Sequence, residues 1–386
     1  MNTFRARILI VDDEPFNVDY LQQELEEFDY DLLTAFNGRE AFEKIQAERP
    51  DLVLLDIMMP VMDGFAVLEK TMADPELRGI PIIVISANND LKSVVKGIKM
   101  GAEDYLPKPF EPTILQARIT SSLERKRLRD LEQLHLQSLK KEMNIARDIQ
   151  REFLPSDIPV MPGWELAAYF KAANNVAGDF YDAFPLPDGN FIFVVGDVCG
   201  KGIGAALFMT LYRSLIRATA TSNDLAIPPA ERLMHAIFTT NQYISTVHEN
   251  TLTFATTFIG LIDVKEGTLS YINAGNEPPY LIRKDGTFET LPPSGPAIGA
   301  IPNAKFSVRE TRLENGDTLV AFTDGIPDSK TAQDEFFGYD RLKELMKMEI
   351  PSPGEFLNAI AERLSAFTAE SEQFDDITML AVRRTG

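Results

Sequence analysis

The chain has 386 residues, too many for one ordinary hydrophobic core, so two or more domains are expected. Lys+Arg number 38 against 58 Asp+Glu, and the formal charge of -20 argues against nucleic acid or an anionic membrane as the main partner. The single cysteine excludes an intrachain disulfide and fits a reducing compartment. No apolar run approaches the ~20 residues that span a bilayer, and the N-terminal MNTFRARILIVDDE lacks a signal-peptide pattern, so a soluble cytoplasmic protein with no membrane partner is expected.

From the start to about Leu123, apolar strand-like runs alternate with helical patterns. ILIV at Ile8 precedes an amphipathic stretch over Val18–Phe28. DLLTAF is followed by a helical pattern over Arg39–Ala47, then by DLVLLD ending at Asp56. PIIVIS ends at Ser86, and DYLPKPF closes the unit. Such alternation predicts an α/β doubly wound parallel sheet, whose site lies beyond the carboxyl ends of the strands. Asp12, Asp13, Asp56, Ser86 and Lys108 all fall at those ends. Clustered carboxylates repel unless a hard cation neutralises them, and oxygen ligands suit Mg²⁺. One Asp can then accept a phosphoryl group as an acyl phosphate.

The motifs VDDE (11–14), DIMMPVMDG (56–64), ISA (85–87) and YLPKPF (105–110) resemble those of a response-regulator receiver domain, in the right order over the whole unit. The resemblance implies that Asp56 is the phospho-acceptor and that Asp12, Asp13 and Asp56 hold Mg²⁺ with the Met58 backbone carbonyl. It makes Lys108 the phosphate-pairing lysine, Ser86 the switch hydroxyl and Tyr105 the switch aromatic. Its phosphoryl source would be a sensor histidine kinase or a phosphotransfer protein.

The run from Leu128 to Pro155 reads as a long amphipathic helix. Leu136, Leu139, Met143, Ala146 and Phe153 recur in steps of three and four, interrupted by polar Gln150. That spacing predicts a coiled-coil-like seam, with a slip where Leu128 and Leu131 fall one residue early. Two readings stay open: a solvated linker packed on its own chain, or a dimerising signalling helix. The basic cluster Arg125, Lys126, Arg127 and Arg129 is expected to solvate a helix face or pair with acids. The expected division is a receiver over 1–123, a helical linker forming a dimerising coiled coil over 124–155, and a second domain over 156–386.

Beyond Pro155, strand-like alternation appears at Trp164–Phe170, Asn190–Val195, Thr253–Ile262, Thr268–Asn273 and Asp317–Phe322. Helical blocks fall at Ala205–Thr221, Pro229–Val247, Tyr339–Met348 and Pro353–Thr368. The pattern predicts an α+β layered domain, a β-sandwich flanked by helices. Acids again sit at strand ends in AGDFYD (177–182), GDVCGKG (196–202), TDGI (323–326) and DDIT (375–378). With no His nearby, such a set favours Mg²⁺ or Mn²⁺ over zinc. Two such ions about 3.5–4 Å apart can activate water for phosphoryl hydrolysis.

These motifs, with ARDIQREFLP (146–155), INAGNEPPY (272–280) and GPAIG (295–299), resemble metal-dependent type 2C serine/threonine phosphatases, and more closely their sporulation-E/stress-regulator branch. The resemblance implies two Mn²⁺ or Mg²⁺ ions held by Asp179, Asp197, the Val198 backbone carbonyl, Asp324 and Asp375, with Asp182 and Asp376 as weaker candidates. Lys201 is a candidate phosphate contact. Two departures stand out: Cys199 where the branch commonly has Ser, and Asn276-Glu277 where it shows His-Asn. The expected function is a two-component response regulator whose output dephosphorylates a phosphorylated anti-sigma-factor antagonist, in a homodimer. The alternatives are a non-catalytic dimeric scaffold and a phosphatase for another phosphoprotein.

Overall fold

A computed structural model of the chain describes residues 5–87, 91–221, 228–251, 253–349, 351–369, 371 and 373–386. It divides into two compact units, Met1–Leu139 and Lys140–Gly386. Among the described residues no helix is long and apolar enough to cross a membrane.

In the first unit β1 (Ala6–Val11), α1 (Pro15–Glu26), β2 (Tyr30–Ala35), α2 (Gly38–Glu48), β3 (Leu52–Asp56), α3 (Gly64–Ala73), β4 (Ile82–Ser86), α4 (Leu91–Lys99) and β5 (Asp104–Pro107) alternate strictly. The strands form one parallel sheet in the order β2-β1-β3-β4-β5. β3 and β4 are buried along their whole length, as the continuous Leu, Val and Ile runs require of strands covered on both faces. One core packs around Leu9, Val53, Leu55 and Val84, the other around Ile8, Ile10, Leu54 and Ile83. The doubly wound receiver fold expected from the sequence is the fold found.

The long helix differs from the expectation at its start. α5 runs without a break from Pro112 to Phe153, so the last helix of the first unit and the linker are one element. Its opening turns bury Leu115 and Ile119 in the first unit's core. The basic cluster pairs with acids: Arg125 Nε lies 2.6 Å from Glu103, Arg129 also meets Glu103, and Lys126 Nζ is 3.1 Å from Asp51. The expected seam divides as well. Leu136 and Leu139 are exposed, whereas Met143 and Ala146 are half-buried and Gln150 is buried. The exposed apolar residues in this last part of α5 are Ile145, Ile149 and Phe153.

In the second unit β6 (Trp164–Lys171), β7 (Asp179–Pro185) and β8 (Phe191–Val198) precede α6 (Ile203–Ala220) and α7 (Pro229–Val247). β9 (Ala255–Ile262), β10 (Thr268–Ala274), β11 (Tyr280–Ile282), β12 (Phe288–Thr290), β13 (Arg309–Arg312) and β14 (Thr318–Phe322) follow. α8 (Gly338–Leu345), α9 (Pro353–Thr368) and β15 (Ile377–Arg384) end the chain. Two five-stranded sheets result, β13-β10-β9-β8-β7 and β12-β11-β14-β15-β6. Phe191, Phe193, Phe258, Leu319, Leu380 and Val382 fill the space between them. α6 and α7 cover the outer face of the first sheet, and α8 and α9 that of the second. The four-layer sandwich is the layered domain the sequence implied.

Candidate functional site

The first unit gathers its acids at the carboxyl edge of the parallel sheet. Asp12 follows β1 and Asp56 ends β3, and these strands pair with Val11 opposite Leu55. Lys108, just past β5, reaches both: its Nζ is 2.6 Å from Asp12 Oδ2 and 2.8 Å from Asp56 Oδ1. Asp12 Oδ1 also accepts from the Glu14 N–H and from Asn17 Nδ2, a partner the motif reading missed. Asp56 Oδ2 accepts from the Met58 N–H at 2.7 Å. Asp13 is half-buried beside them in sequence.

Burial raises the pKa of Asp56, and its hydrogen bond to Lys108 does not cancel that. Burial lowers the proton affinity of Lys108, but its hydrogen bonds to Asp12 and Asp56 more than reverse it, so its pKa is also raised. One ammonium between two carboxylates explains the rise at Lys108, whereas at Asp56 burial outweighs the single cation. The edge is short of positive charge, and its carboxylate and carbonyl oxygens suit Mg²⁺. The loop after Asp56 is shaped for close approach. A Cβ on Gly64 would lie 2.3 Å from the Asp56 carbonyl oxygen, and Val61 holds φ +70°, costly for a β-branched residue. Ser86 and Tyr105, both buried, line a cleft of about 410 Å³ with Met58 and Met59.

The second unit assembles its acids from both sheets. Asp179 opens β7 and Asp197 lies near the end of β8, directly opposite in the antiparallel register. Like charges in such a pair destabilise a sheet, so the arrangement points to a bound cation rather than to stability. From the other sheet, Asp324 follows β14, and Asp375 and Asp376 precede β15. Thr323 and Thr378 clamp Asp179 from that sheet: their hydroxyls donate to Oδ2 at 2.7 and 2.6 Å. Neither threonine received a role from the sequence, although both stand inside the motifs TDGI and DDIT.

Asp376 is buried, and its two oxygens accept from the Ala173 and Gly178 N–H groups, each at 2.8 Å. It braces the segment leading into Asp179. Asp182 is turned away from the cluster: Arg217 donates to it at 2.8 Å, and Arg213 Nε lies 3.1 Å from its other oxygen without hydrogen-bond alignment. The sequence named Asp182 as a weak metal candidate; in the structure it anchors α6 to β7. Lys201 Nζ lies 3.1 Å from Asp375 Oδ2, donates to the Phe374 carbonyl at 2.8 Å and sits over the Phe374 ring. Asn276 is a buried brace whose Nδ2 donates to the Phe322 carbonyl, at the end of β14. The Cys199 N–H donates to the Phe254 carbonyl, and Sγ accepts from the Phe254 N–H at 3.2 Å.

Burial, then the charges of Asp197 and Asp376, hold the Asp179 carboxyl well above the ordinary range. Burial and the Asp324 charge lift Asp197 to about 7, and burial and Asp375 lift Asp324 to about 6. Among the described residues these side chains do not already close on one point as a ligand shell. Their donor set nonetheless fits hard divalent ions: carboxylates in mutual repulsion, with the Val198 carbonyl oxygen beside Gly178, where a Cβ would come within 2.8 Å of it.

The family model described as stage II sporulation protein E (SpoIIE) matches residues 187–385, and that of the response regulator receiver domain matches residues 8–120. Protein IcfG of Synechocystis is 39% identical over 262 residues, which are 63% of this chain and 41% of that protein. The alkaline phosphatase synthesis transcriptional regulatory protein PhoP of Bacillus subtilis is 41% identical over 119 residues, 31% of this chain and 49% of that protein. The chain thus spans about half or less of the length of these relatives. The solved SiaA-PP2C domain of Pseudomonas aeruginosa shares the fold of the second unit, with a TM-score of 0.55 and 23% identity over 64% of this chain and 98% of that domain. The sporulation-protein match covers just over half of the chain, and with its PP2C-like fold and its receiver unit the chain belongs to the stage II sporulation protein E (SpoIIE) family.

Proposed function

We propose that the chain is a response regulator whose phosphorylation at Asp56 controls a metal-dependent serine/threonine phosphatase in the second unit. The observation that carries this reading is the placement of Asp179 opposite Asp197, with Asp324 and Asp375 brought to the same edge from the second sheet. Asp179, Asp197, the Val198 carbonyl, Asp324 and Asp375 are the groups that would hold two Mn²⁺ or Mg²⁺ ions. When bound, such ions supply Lewis acidity and a nucleophilic water at neutral pH. Thr323 and Thr378 fix the rotamer of Asp179, and Asp376 holds the backbone before it, so this one ligand is held in place before any ion arrives. A degenerate, non-catalytic scaffold has no use for this complete set of strained acids.

In the receiver, Asp12, Asp13, Asp56 and the Met58 carbonyl would hold Mg²⁺, and Asp56 would take the phosphoryl group. Lys108 is already placed to pair with the added phosphoryl oxygens, and Ser86 and Tyr105 would register the change. A sensor histidine kinase or phosphotransfer protein would be its physiological phosphoryl donor, by membership of the receiver family. The chain acts as a homodimer through α5, where Leu128, Leu131, Leu139, Ile145 and Ile149, among its exposed leucines and isoleucines, offer a partner helix an apolar stripe.

The substrate we favour is a phosphorylated anti-sigma-factor antagonist in partner switching, by membership of the family. Release of phosphate from such a protein, measured with and without acetyl phosphate, tests the reading. Metal-dependent release whose rate changes with the acyl-phosphate donor is expected. Failure to release phosphate from any phosphoserine or phosphothreonine protein with Mn²⁺ present would overturn it.

A further inference from the structure

One side chain fastens the end of α5 to the segment that leads into Asp179. Gln150 is 7% exposed. Its carboxamide treats Ala177 as a neighbouring strand would: Nε2 donates to the Ala177 carbonyl at 2.7 Å, and Oε1 accepts from the Ala177 N–H at 2.9 Å. Ala177 is fully buried, so water cannot take over either bond. The next residue, Gly178, donates its N–H to Asp376 and accepts from the Val198 N–H at 3.3 Å. Asp179 follows. The Gln150 carboxamide is therefore one peptide away from the groups that brace Asp179, Val198 and Asp376.

A carboxamide is an expensive choice for this position unless its hydrogen bonds are needed. Gln150 shares its helix face with Met143 and Ala146, both half-buried. Leu or Met would fill similar space without the cost of burying an amide. A shift of one residue in helix register turns a side chain by about 100° round the axis. Such a shift would break both bonds together.

We propose that Gln150 is a positioning residue that holds the entry of β7 so that Asp179 stands correctly opposite Asp197, and through which displacement of α5 reaches the acid cluster. This inference rests on the metal-dependent phosphatase reading. It is tested in the full chain with Gln150→Leu and Gln150→Met, which keep side-chain bulk and remove both hydrogen bonds. Circular dichroism establishes folding, calorimetric titration gives Mn²⁺ affinity, and hydrolysis of p-nitrophenyl phosphate gives kcat and KM separately.

Both variants are expected to bind Mn²⁺ about tenfold more weakly and to lose about tenfold in kcat, with KM within about twofold. A folded Gln150→Leu with wild-type Mn²⁺ affinity and wild-type kcat reduces Gln150 to core packing and overturns the inference, even if its melting temperature falls. Hydrogen exchange in the unaltered chain provides a measurement that needs no variant. Protection of the 172–178 segment is expected to change about tenfold on treatment with acetyl phosphate, and unchanged protection overturns the inference. A wild type that neither binds Mn²⁺ nor hydrolyses the ester refutes the phosphatase reading instead, whereas a wild type that does both beside an indistinguishable Gln150→Leu refutes this inference alone.

Discussion

Replacing Asp197 by Asn should stabilise the metal-free protein while removing its response to metal. Asp197 is half-buried, directly opposite Asp179 and within the fields of Asp324, Asp375 and Asp376. Lifting a carboxyl from 3.8 to about 7 places roughly 4 kcal/mol on its charged form above pH 7. The Asp197 carboxyl also shares a hydrogen bond with Asp179 that a carboxamide keeps only in part, so a smaller net gain of about 1–3 kcal/mol is expected from Asp197→Asn at pH 8. For a domain of this size the melting transition of the second unit should rise by about 2–10 °C. The sign with pH follows from linkage. The folded value stands above the unfolded one, so the stability tied to Asp197 is complete below pH ~4 and is lost as pH rises through about 7. The advantage of Asn should therefore be small at pH 4 and full at pH 8. Differential scanning calorimetry in EDTA at both pH values measures it, and a second scan with Mn²⁺ should raise the wild type and leave the variant unmoved. A variant less stable than wild type in EDTA at pH 8, or a gain that ignores pH, would refute the idea of a strained acid cluster awaiting cations.

Asp182→Ala should behave in the opposite way: taking the buried partner from Arg213 and from the partly exposed Arg217 costs about 1–3 kcal/mol, while Mn²⁺ affinity, read by calorimetry, stays as in wild type. Asp56→Asn should take no phosphoryl group from acetyl phosphate in Mg²⁺, and equal labelling of both proteins in intact-mass analysis would remove Asp56 from its role. Ile149→Glu places a charge on the exposed stripe of α5 and should weaken self-association by light scattering with the fold retained; an unchanged mass would assign dimerisation to another surface. Cys199→Ser should leave turnover within about twofold, since a hydroxyl can accept the Phe254 N–H that Sγ now accepts.

Much of this molecule was legible because its acids stand where hydrophobic runs end. Asp56 closes LVLLD and Asp197 follows FIFVVG, and each run is a fully buried stretch of strand whose end can only be the rim of a sheet. β7 was harder to see. Phe180, Asp182, Ala183 and Phe184 are all buried, so the strand lacks the alternation that betrays a one-sided strand, and its Asp182 pairs with arginines of α6 far along the chain. β11, β12 and β13 hold three or four residues each, too few for a period to show. The start of α5 was misplaced because its opening turns belong to the receiver core, whereas the sequence pattern was read from the leucines beyond. Gln150 looked like a flaw in an apolar seam. Its partner, Ala177, is 27 residues away, and nothing local announces a carboxamide that hydrogen-bonds a distant peptide. The threonines at 323 and 378 were hidden in the same way, since each serves an aspartate on the other sheet.

The central claim is that the second unit is a phosphatase working through its acid cluster. The most direct test is the initial rate of p-nitrophenyl phosphate hydrolysis as Mn²⁺ is titrated into metal-stripped protein, for wild type and Asp375→Asn. A rate that rises from background and saturates with Mn²⁺ in the wild type, and stays at background in the variant, is the expected result. Turnover that persists in EDTA, or a variant as fast as wild type at every Mn²⁺ concentration, would contradict it.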